Sequence, residues 1–358
     1  MLEIASGLTV NLYLLTAMGA AVGLVAGFAG VAGGYLLTPI LIVMGLPAPL
    51  AVGTALALIA GNNLIGVLRH RELGHIDLKM GLITAAGTLL GTEIGIRLLH
   101  LLDGFGERAA DIAVLGTLLL TLTIVSVSML RDVLASTALL NCDVELAADE
   151  DEIKTTACRF LQSLSVFPHI RFTKSKLRIS GWIVLGLGMF IGILSGVLGV
   201  GGGFMLSPAL MYLVGQSSMM AVGTNLLGVL VGVTFGCFRH AMLGNVQIAV
   251  ALTMLLGTSV GTFIGARGTA HVRGLAVRYV LATSVVTALL GPALKMVHFF
   301  IGSDTINQMA KLVTVAQVFI PVGLVILLLV YIARHRSGRD VPLWARRLMP
   351  NGQNGTAG

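Results

Sequence analysis

Two glycine-rich segments carry the residues best suited to chemistry. Gly27-Phe-Ala-Gly-Val-Ala-Gly-Gly-Tyr-Leu-Leu-Thr-Pro39 returns as Gly196-Val-Leu-Gly-Val-Gly-Gly-Gly-Phe-Met-Leu-Ser-Pro208. In the first copy Gly30, Gly33 and Gly34 interrupt apolar sequence; in the second, Gly199, Gly201, Gly202 and Gly203 do so. Glycine reaches backbone angles closed to other residues and leaves its amide N–H uncovered. A short helix that restarts after such a break aims its first amides and the positive end of its dipole at whatever faces it. Two such ends make a site for a small anion, with Thr38 and Ser207 as hydroxyl donors just before each proline. Close packing through small residues accounts for the same glycines without a ligand. Duplication in the same context favours the binding site.

Other paired residues extend the constellation. Ala51-Val-Gly-Thr54 returns as Ala221-Val-Gly-Thr224, near the start of a long apolar run in each case. Thr54 and Thr224 there can cap a helix or contact a permeant. Asn62, Asn63 and Asn225 are amides inside apolar runs, where an unsatisfied polar group is costly. Cavity lining and interhelical bonding are both open to them; Asn63 and Asn225 join the candidate site. Arg69-His70 returns as Arg239-His240, each pair closing a predicted helix. These arginines snorkel at the interface, or the pairs hold the anion at two mouths with imidazoles titrating near neutral pH. Glu93 stands four residues before Arg97, which is salt-bridge spacing on a helix. An acid in a membrane helix is also a proton-relay candidate. Its repeat partner is Phe263, so either role is asymmetric.

These residues need elements to position them, and the composition says which. Of 358 residues 56% are hydrophobic, 11% are charged and 46 are glycine. Soluble domains carry about 25% charge, so the class is membrane protein. The net charge of +7 sits in loops and in a basic C-terminal stretch (Arg334, Arg336, Arg339, Arg346, Arg347), which speaks for a bilayer and against nucleic acid. Cys142, Cys158 and Cys237 have no metal-type spacing, and neither a disulfide, a metal nor a cofactor is expected. No paired carboxylates or nucleophile–base arrangement falls inside the apolar runs, which disfavours an enzyme, and no nucleotide-binding G-x-x-x-x-G-K-S/T segment is present.

The repeat is strong. From Ala51 to Arg97, 18 of 47 residues match their partners 170 positions on, where chance gives about 4. Most apolar runs reach the ~20 residues that cross a bilayer; the short segments after Gly34 and Gly203 do not. Those are either short crossing helices or arms of re-entrant hairpins. The expected fold is an all-α polytopic membrane protein with two inverted-topology repeats and short broken or re-entrant Gly-Pro helices. Its parts are a first repeat over 10–130, a polar cytoplasmic connection over 131–179, a second repeat over 180–295, a final helix over 312–333 and a basic cytoplasmic tail over 334–358. The connection is either a plain linker or a docking element, with a short helix or partial disorder around 150–164.

Loop charges set the orientation. A basic C-terminus places the last helix end in the cytoplasm. Counting back, the loop with Arg267, Arg273 and Arg278 is internal, as is the loop with Arg69, Arg71 and Lys79. The loop with Arg97, Asp103, Glu107 and Arg108 is external. Equivalent loops thus face opposite sides, as inverted repeats require.

These motifs together resemble the sulfite exporter TauE/SafE family of membrane permeases. The residues that carry the likeness are Gly27-Phe-Ala-Gly-Val-Ala-Gly-Gly with Pro39, Ala51-Val-Gly-Thr, the Arg-His before Gly74, and Gly91-x-x-x-Gly-x-Arg97, with their second copies. The resemblance implies movement of sulfite, sulfonates or related organosulfur anions across a bacterial inner membrane. The expected partners are a small anion and the lipid bilayer; assembly into a homo-oligomer is left open. The alternative is a membrane-embedded assembly protein that acts through its charged central loop.

Overall fold

The computed structural model describes residues 2–3, 9–10, 12–31, 33–141, 169–175, 177–269, 271–272, 274–336 and 342. A two-residue ribbon, β1 (Leu2–Glu3) with β2 (Thr9–Val10), precedes the first helices. These are α1 (Leu12–Ala29), α2 (Gly34–Val43), α3 (Ala48–Glu72), α4 (Leu78–Asp103) and α5 (Glu107–Asn141). An antiparallel hairpin follows, β3 (His169–Phe172) with β4 (Leu177–Ser180). The second half has α6 (Gly181–Leu198) and α7 (Gly203–Ala209), which runs on as a π turn (Leu210–Val214). Then come α8 (Ser218–Met242), α9 (Ile248–Thr269), α10 (Gly274–Thr287), α11 (Leu290–Ile301) and α12 (Asp304–Arg336).

Among the described residues nine segments are long and apolar enough to cross a membrane, while 34–43 and 203–214 are shorter. The protein is an all-α polytopic membrane protein; among the described residues, strands are confined to the two small ribbons. Apolar runs mark membrane depth rather than helix ends, so helices overrun the expected apolar segments. Helix α5 continues beyond residue 130 to Asn141, because Arg131 to Asn141 contains no glycine or proline to stop it. Helix α12 likewise exceeds 312–333 at both ends. Within the second repeat, α10 ends at Thr287 and the chain restarts as α11 at Leu290 with Pro292 in its first turn, where a missing N–H costs nothing. The short helix considered around 150–164, Cys142, Cys158 and most of the tail lie outside the described residues.

Two glycine seams hold the halves together. Cβ atoms placed on Gly19, Gly23 and Gly27 of α1 would lie 2.5, 2.3 and 2.2 Å from the carbonyl oxygens of Met254, Thr258 and Thr262 on α9. Gly257, Gly261 and Gly265 return the contact against Thr16, Ala20 and Leu24. The register advances on both helices together, so α1 and α9 run parallel. Helices α4 and α6 form the equivalent seam, with Gly87, Gly91 and Gly95 against Leu185, Met189 and Ile193. Such contacts need small residues every fourth position, because helices in lipid associate by close packing of their backbones. Helix α3 packs on its repeat counterpart α8 with the opposite sense. Gly53, near the start of α3, meets Asn245 just beyond α8; Gly223, near the start of α8, meets His75 just beyond α3. The counterparts therefore run antiparallel.

Candidate functional site

The two glycine breaks meet inside the protein. Helix α1 stops at Gly30, and α2 restarts from Gly33, which has φ 71°. Helix α6 stops at Gly199, and α7 restarts from Gly202, also at φ 71°. At such left-handed angles a side chain costs about 1–2 kcal/mol, so glycine is the residue that fits. A Cβ on Gly34 would lie 2.2 Å from the Val200 carbonyl oxygen, and one on Gly203 would lie 3.0 Å from that of Val31. The valines of the two Ala-Val-Gly-Thr motifs cover the breaks crosswise: Val222 lies on Gly30 and Val52 on Gly199.

Polar side chains stitch this contact. Thr38 Oγ1 donates to the Gly199 carbonyl at 3.0 Å. Asn225 Nδ2 reaches the Gly30 carbonyl at 2.7 Å, the Gly203 carbonyl at 3.1 Å and Ser207 Oγ at 3.0 Å. All three side chains are fully buried. The structure thus brings together Gly30, Gly34, Thr38, Gly199, Gly203, Ser207 and Asn225. Gly201 joins them through Ile59 of α3, which also packs against Gly34. Gly33 and Gly202 instead face the helices that precede them, at Val22 and Ile191. Asn62 and Asn63 lie one turn beyond Ile59, on the same helical face. Both are buried, and all four of their amide atoms lack hydrogen-bond partners. Unpaired buried amides are costly, so this pair is available to a ligand.

Thr54 and Thr224 have a structural task. Thr224 Oγ1 accepts the Asp77 N–H at 3.0 Å, and Thr54 Oγ1 accepts the Gln247 N–H at 3.0 Å. Asp77 caps α4, and Gln247 precedes α9 directly. Each threonine therefore ties down the helix entry of the other repeat, a symmetric exchange that sequence spacing cannot reveal.

Of the arginine–histidine pairs the histidines are closed in, while the Arg69 and Arg239 side chains are partly exposed. His70 and His240 are 0% and 1% exposed. His240 borders a crevice of about 10 Å³ with Pro49, Ile96, Leu99, His100, Asp103, Leu243 and Asn245. Arg239 Nε meets Glu93 Oε2 at 3.0 Å, and Arg97 Nε meets Glu93 Oε1 at 2.8 Å. Glu93 thus joins α8 to α4. Arg69 pairs with Glu72 of its own helix, and Arg267 stacks on Phe263 at 4.0 Å. Phe263 leaves Arg69 without the cross-helix acid that Arg239 has. Glu93→Gln is expected to cost about 1.5–3 kcal/mol, the range for hydrogen bonds to charged groups, read as thermal unfolding in detergent. Its pH profile of flux should match the parent; a flattened profile would assign Glu93 to proton coupling.

Sequence reading missed two sets of buried polar groups and a half-buried histidine. Arg278, counted as a loop charge, is 6% exposed within α10; it donates to Ser218 Oγ at 2.8 Å and meets Asp132 Oδ2 at 3.5 Å. Asp77 and Gln216 are 3% and 2% exposed. His75, in the turn between α3 and α4, approaches His70 Nδ1 to Nδ1 at 3.4 Å. Burial pushes the pKa of His75 below the usual imidazole value. Its contribution to stability is therefore full above the unfolded value of about 6.5 and is lost as pH falls through the folded value. Melting temperature should drop on acidification through this window, and His75→Gln should reduce the drop. A surface hollow of about 400 Å³ is lined by Arg108, Asp111, His298, Phe299 and Gly302; no break residue borders it.

A chain of apolar helices broken twice by glycine, with buried donors around the contact, has the build of a membrane transporter. The sequence profile described as sulfite exporter TauE/SafE matches residues 15–292, and the chain belongs to that family. Relatives include the probable membrane transporter protein YjnA of Bacillus subtilis (strain 168), 26% identical over 271 residues, covering 76% of this chain and 95% of the relative. The probable membrane transporter protein YdhB of the same organism is 24% identical over 254 residues, covering 69% and 86%. A probable membrane transporter protein of Xylella fastidiosa (strain 9a5c) is 25% identical over 260 residues, covering 71% and 84%. No solved structure matches the chain.

Proposed function

We propose that the protein is a secondary transporter, working as an exporter, for a small oxyanion such as sulfite, a sulfonate or a related organosulfur anion. The observation that carries this reading is the buried meeting of two helix breaks, with Thr38, Ser207 and Asn225 around it and Asn63 one turn from Ile59. Oxyanions need several N–H and O–H donors and few full charges, and helix starts supply them. The halves are read as inverted repeats in a bacterial inner membrane, with the C-terminus cytoplasmic. Antiparallel α3 and α8 support this, since counterpart helices of inverted repeats must run oppositely. The parallel seams agree: α1 matches α9, and α4 matches α6, each pairing an entry helix of one repeat with a later helix of the other. Tight closure between Gly34 and Val200 corresponds to an occluded state. An interior-negative potential drives an anion outward by about 2.3 kcal/mol per charge per 100 mV, so export needs no further coupling.

Counterflow in proteoliposomes tests the reading, with sulfite, methanesulfonate, sulfate and acetate supplied at two pH values. Trans-stimulated uptake of the sulfur oxyanions and not of acetate is the expected result. Absence of counterflow with every one of them would sink the proposal.

A further inference from the structure

Four residues from four separate segments close a ring of hydrogen bonds beside the start of α8. The Asp77 N–H donates to Thr224 Oγ1 at 3.0 Å. Gln216 Nε2 donates to the same oxygen at 3.1 Å and to Ser175 Oγ at 2.9 Å. Ser175 Oγ donates to Asp77 Oδ2 at 2.7 Å, and the Ser175 N–H reaches that oxygen at 3.2 Å. Ser175 lies in the turn of the β3–β4 hairpin. Phe172, next to the turn on β3, and Ile179 on β4 are buried in the core, while Thr173 and Lys174 in the turn are exposed.

The other half lacks this ring. Thr54 accepts the Gln247 N–H in the same way, but Leu46 stands where Gln216 stands, and Gln247 replaces the Asp77 carboxylate. The first half has its own ribbon, β1–β2, ahead of α1 on that side, but among the described residues no hydrogen bond joins it to Thr54 or Gln247. It has the crevice bordered by His240 instead. Equivalent ends of the repeat pair thus differ: one is bonded to a strap, the hairpin from the connection between the repeats, through Ser175. The strap is also coupled to the site. Strand β4 ends at Ser180 and α6 begins at Gly181, so the hairpin feeds the helix that ends at the second glycine break. Arg171, Lys174 and Arg178 on the strap are exposed, as suits a cytoplasmic face.

We propose that the β3–β4 hairpin is a latch on the cytoplasmic mouth, held by Ser175 on Asp77 and Gln216, which must release before an anion passes between that side and the glycine breaks. The proposal rests on the transport reading above. Access from the cytoplasm is governed by the hairpin tip, and access from the other side is not.

Labelling in inside-out vesicles tests it. In a chain with Cys142, Cys158 and Cys237 replaced by Ala, Ser207→Cys is the reporter for a charged, membrane-impermeant thiosulfonate. Adding Ser175→Ala should raise the labelling rate about tenfold, the effect of losing one charge-assisted hydrogen bond. Ser175→Thr, which keeps the hydroxyl, should stay slow. An unchanged rate with Ser175→Ala, or a gain seen only in right-side-out vesicles, overturns the latch. A second arm joins the strap to the mouth through Ser175→Cys with Gln216→Cys. Oxidation should stop methanesulfonate counterflow and reductant should restore it; full flux through the cross-linked protein overturns the proposal. If the parent moves no methanesulfonate, the transport reading has failed on that probe, and the labelling arm still decides the latch.

Discussion

Gly34→Ala is expected to lower anion counterflow by more than about a hundredfold, from an overpacking cost of ~3 kcal/mol. The added Cβ would lie 2.2 Å from the Val200 carbonyl oxygen and 2.5 Å from Ile59 Cδ1. Ile59 can turn aside, but a carbonyl cannot; the two breaks must part, carrying Thr38 and Asn225 off their acceptors. The mirror change Gly203→Ala is milder. Its nearest neighbour is the Val31 carbonyl oxygen at 3.0 Å, a gap that a few tenths of an ångström relieves. The two variants therefore separate closure from folding. Both keep α1 and α6 on their glycine seams, so both should purify as helical, monodisperse protein by circular dichroism and size exclusion. Equal flux in the parent and Gly34→Ala would show that the contact of the breaks is not on the transport path.

The repeat made much of this legible, and its limits are physical. Duplication marked Gly30 with Gly199, and Gly34 with Gly203, as equivalent breaks, and the breaks do meet. It also marked Thr54 and Thr224, but not their work. Each threonine accepts an N–H from the opposite half, a contact between residues far apart in the chain that no local pattern encodes. The seams were half legible: glycines at every fourth position on α1 announce close helix contact, yet nothing in α1 names α9 as the partner. Charge counting failed at Arg278, because a buried arginine paired with Asp132 looks in sequence like any loop cation. It failed differently at Asp77, whose partner Ser175 belongs to a polar connection that hydropathy assigns to no element. One departure from symmetry, Glu93 against Phe263, was visible as a residue pair; Gln216 against Leu46 gained meaning only in the fold. Only the fold shows that Glu93 joins two helices and that Gln216 bonds to Ser175 and Thr224.

Asn225 poses the sharper test of what the site binds. Its counterpart in the first half is Ala55, so one amide serves both breaks. An amide nitrogen has two hydrogens, and Asn225 Nδ2 faces three oxygens; one bond is shared. Ser207 can thus surrender its place as acceptor and turn its own hydrogen toward an incoming anion. Asn225→Leu removes the donors and adds no charge, so its loss of flux should be the same at pH 5.5 and pH 8. Asn225→Asp keeps the shape but sets a carboxylate against the Gly30 and Gly203 carbonyls and against the permeant. At about 4 Å and an effective dielectric of about 20, two like charges repel by about 4 kcal/mol, nearly three decades in rate. Flux through Asn225→Asp should therefore fall about a thousandfold at pH 8 and recover in part at pH 5.5, where a protonated carboxyl donates again. Methanesulfonate, a monoanion across this range, is the probe that keeps the permeant's own titration out of the comparison. Recovery in acid for Asn225→Asp, set against none for Asn225→Leu, places the anion within reach of this side chain. Full flux through Asn225→Asp at pH 8 places its path elsewhere, because no oxyanion passes a buried carboxylate at van der Waals distance without that penalty.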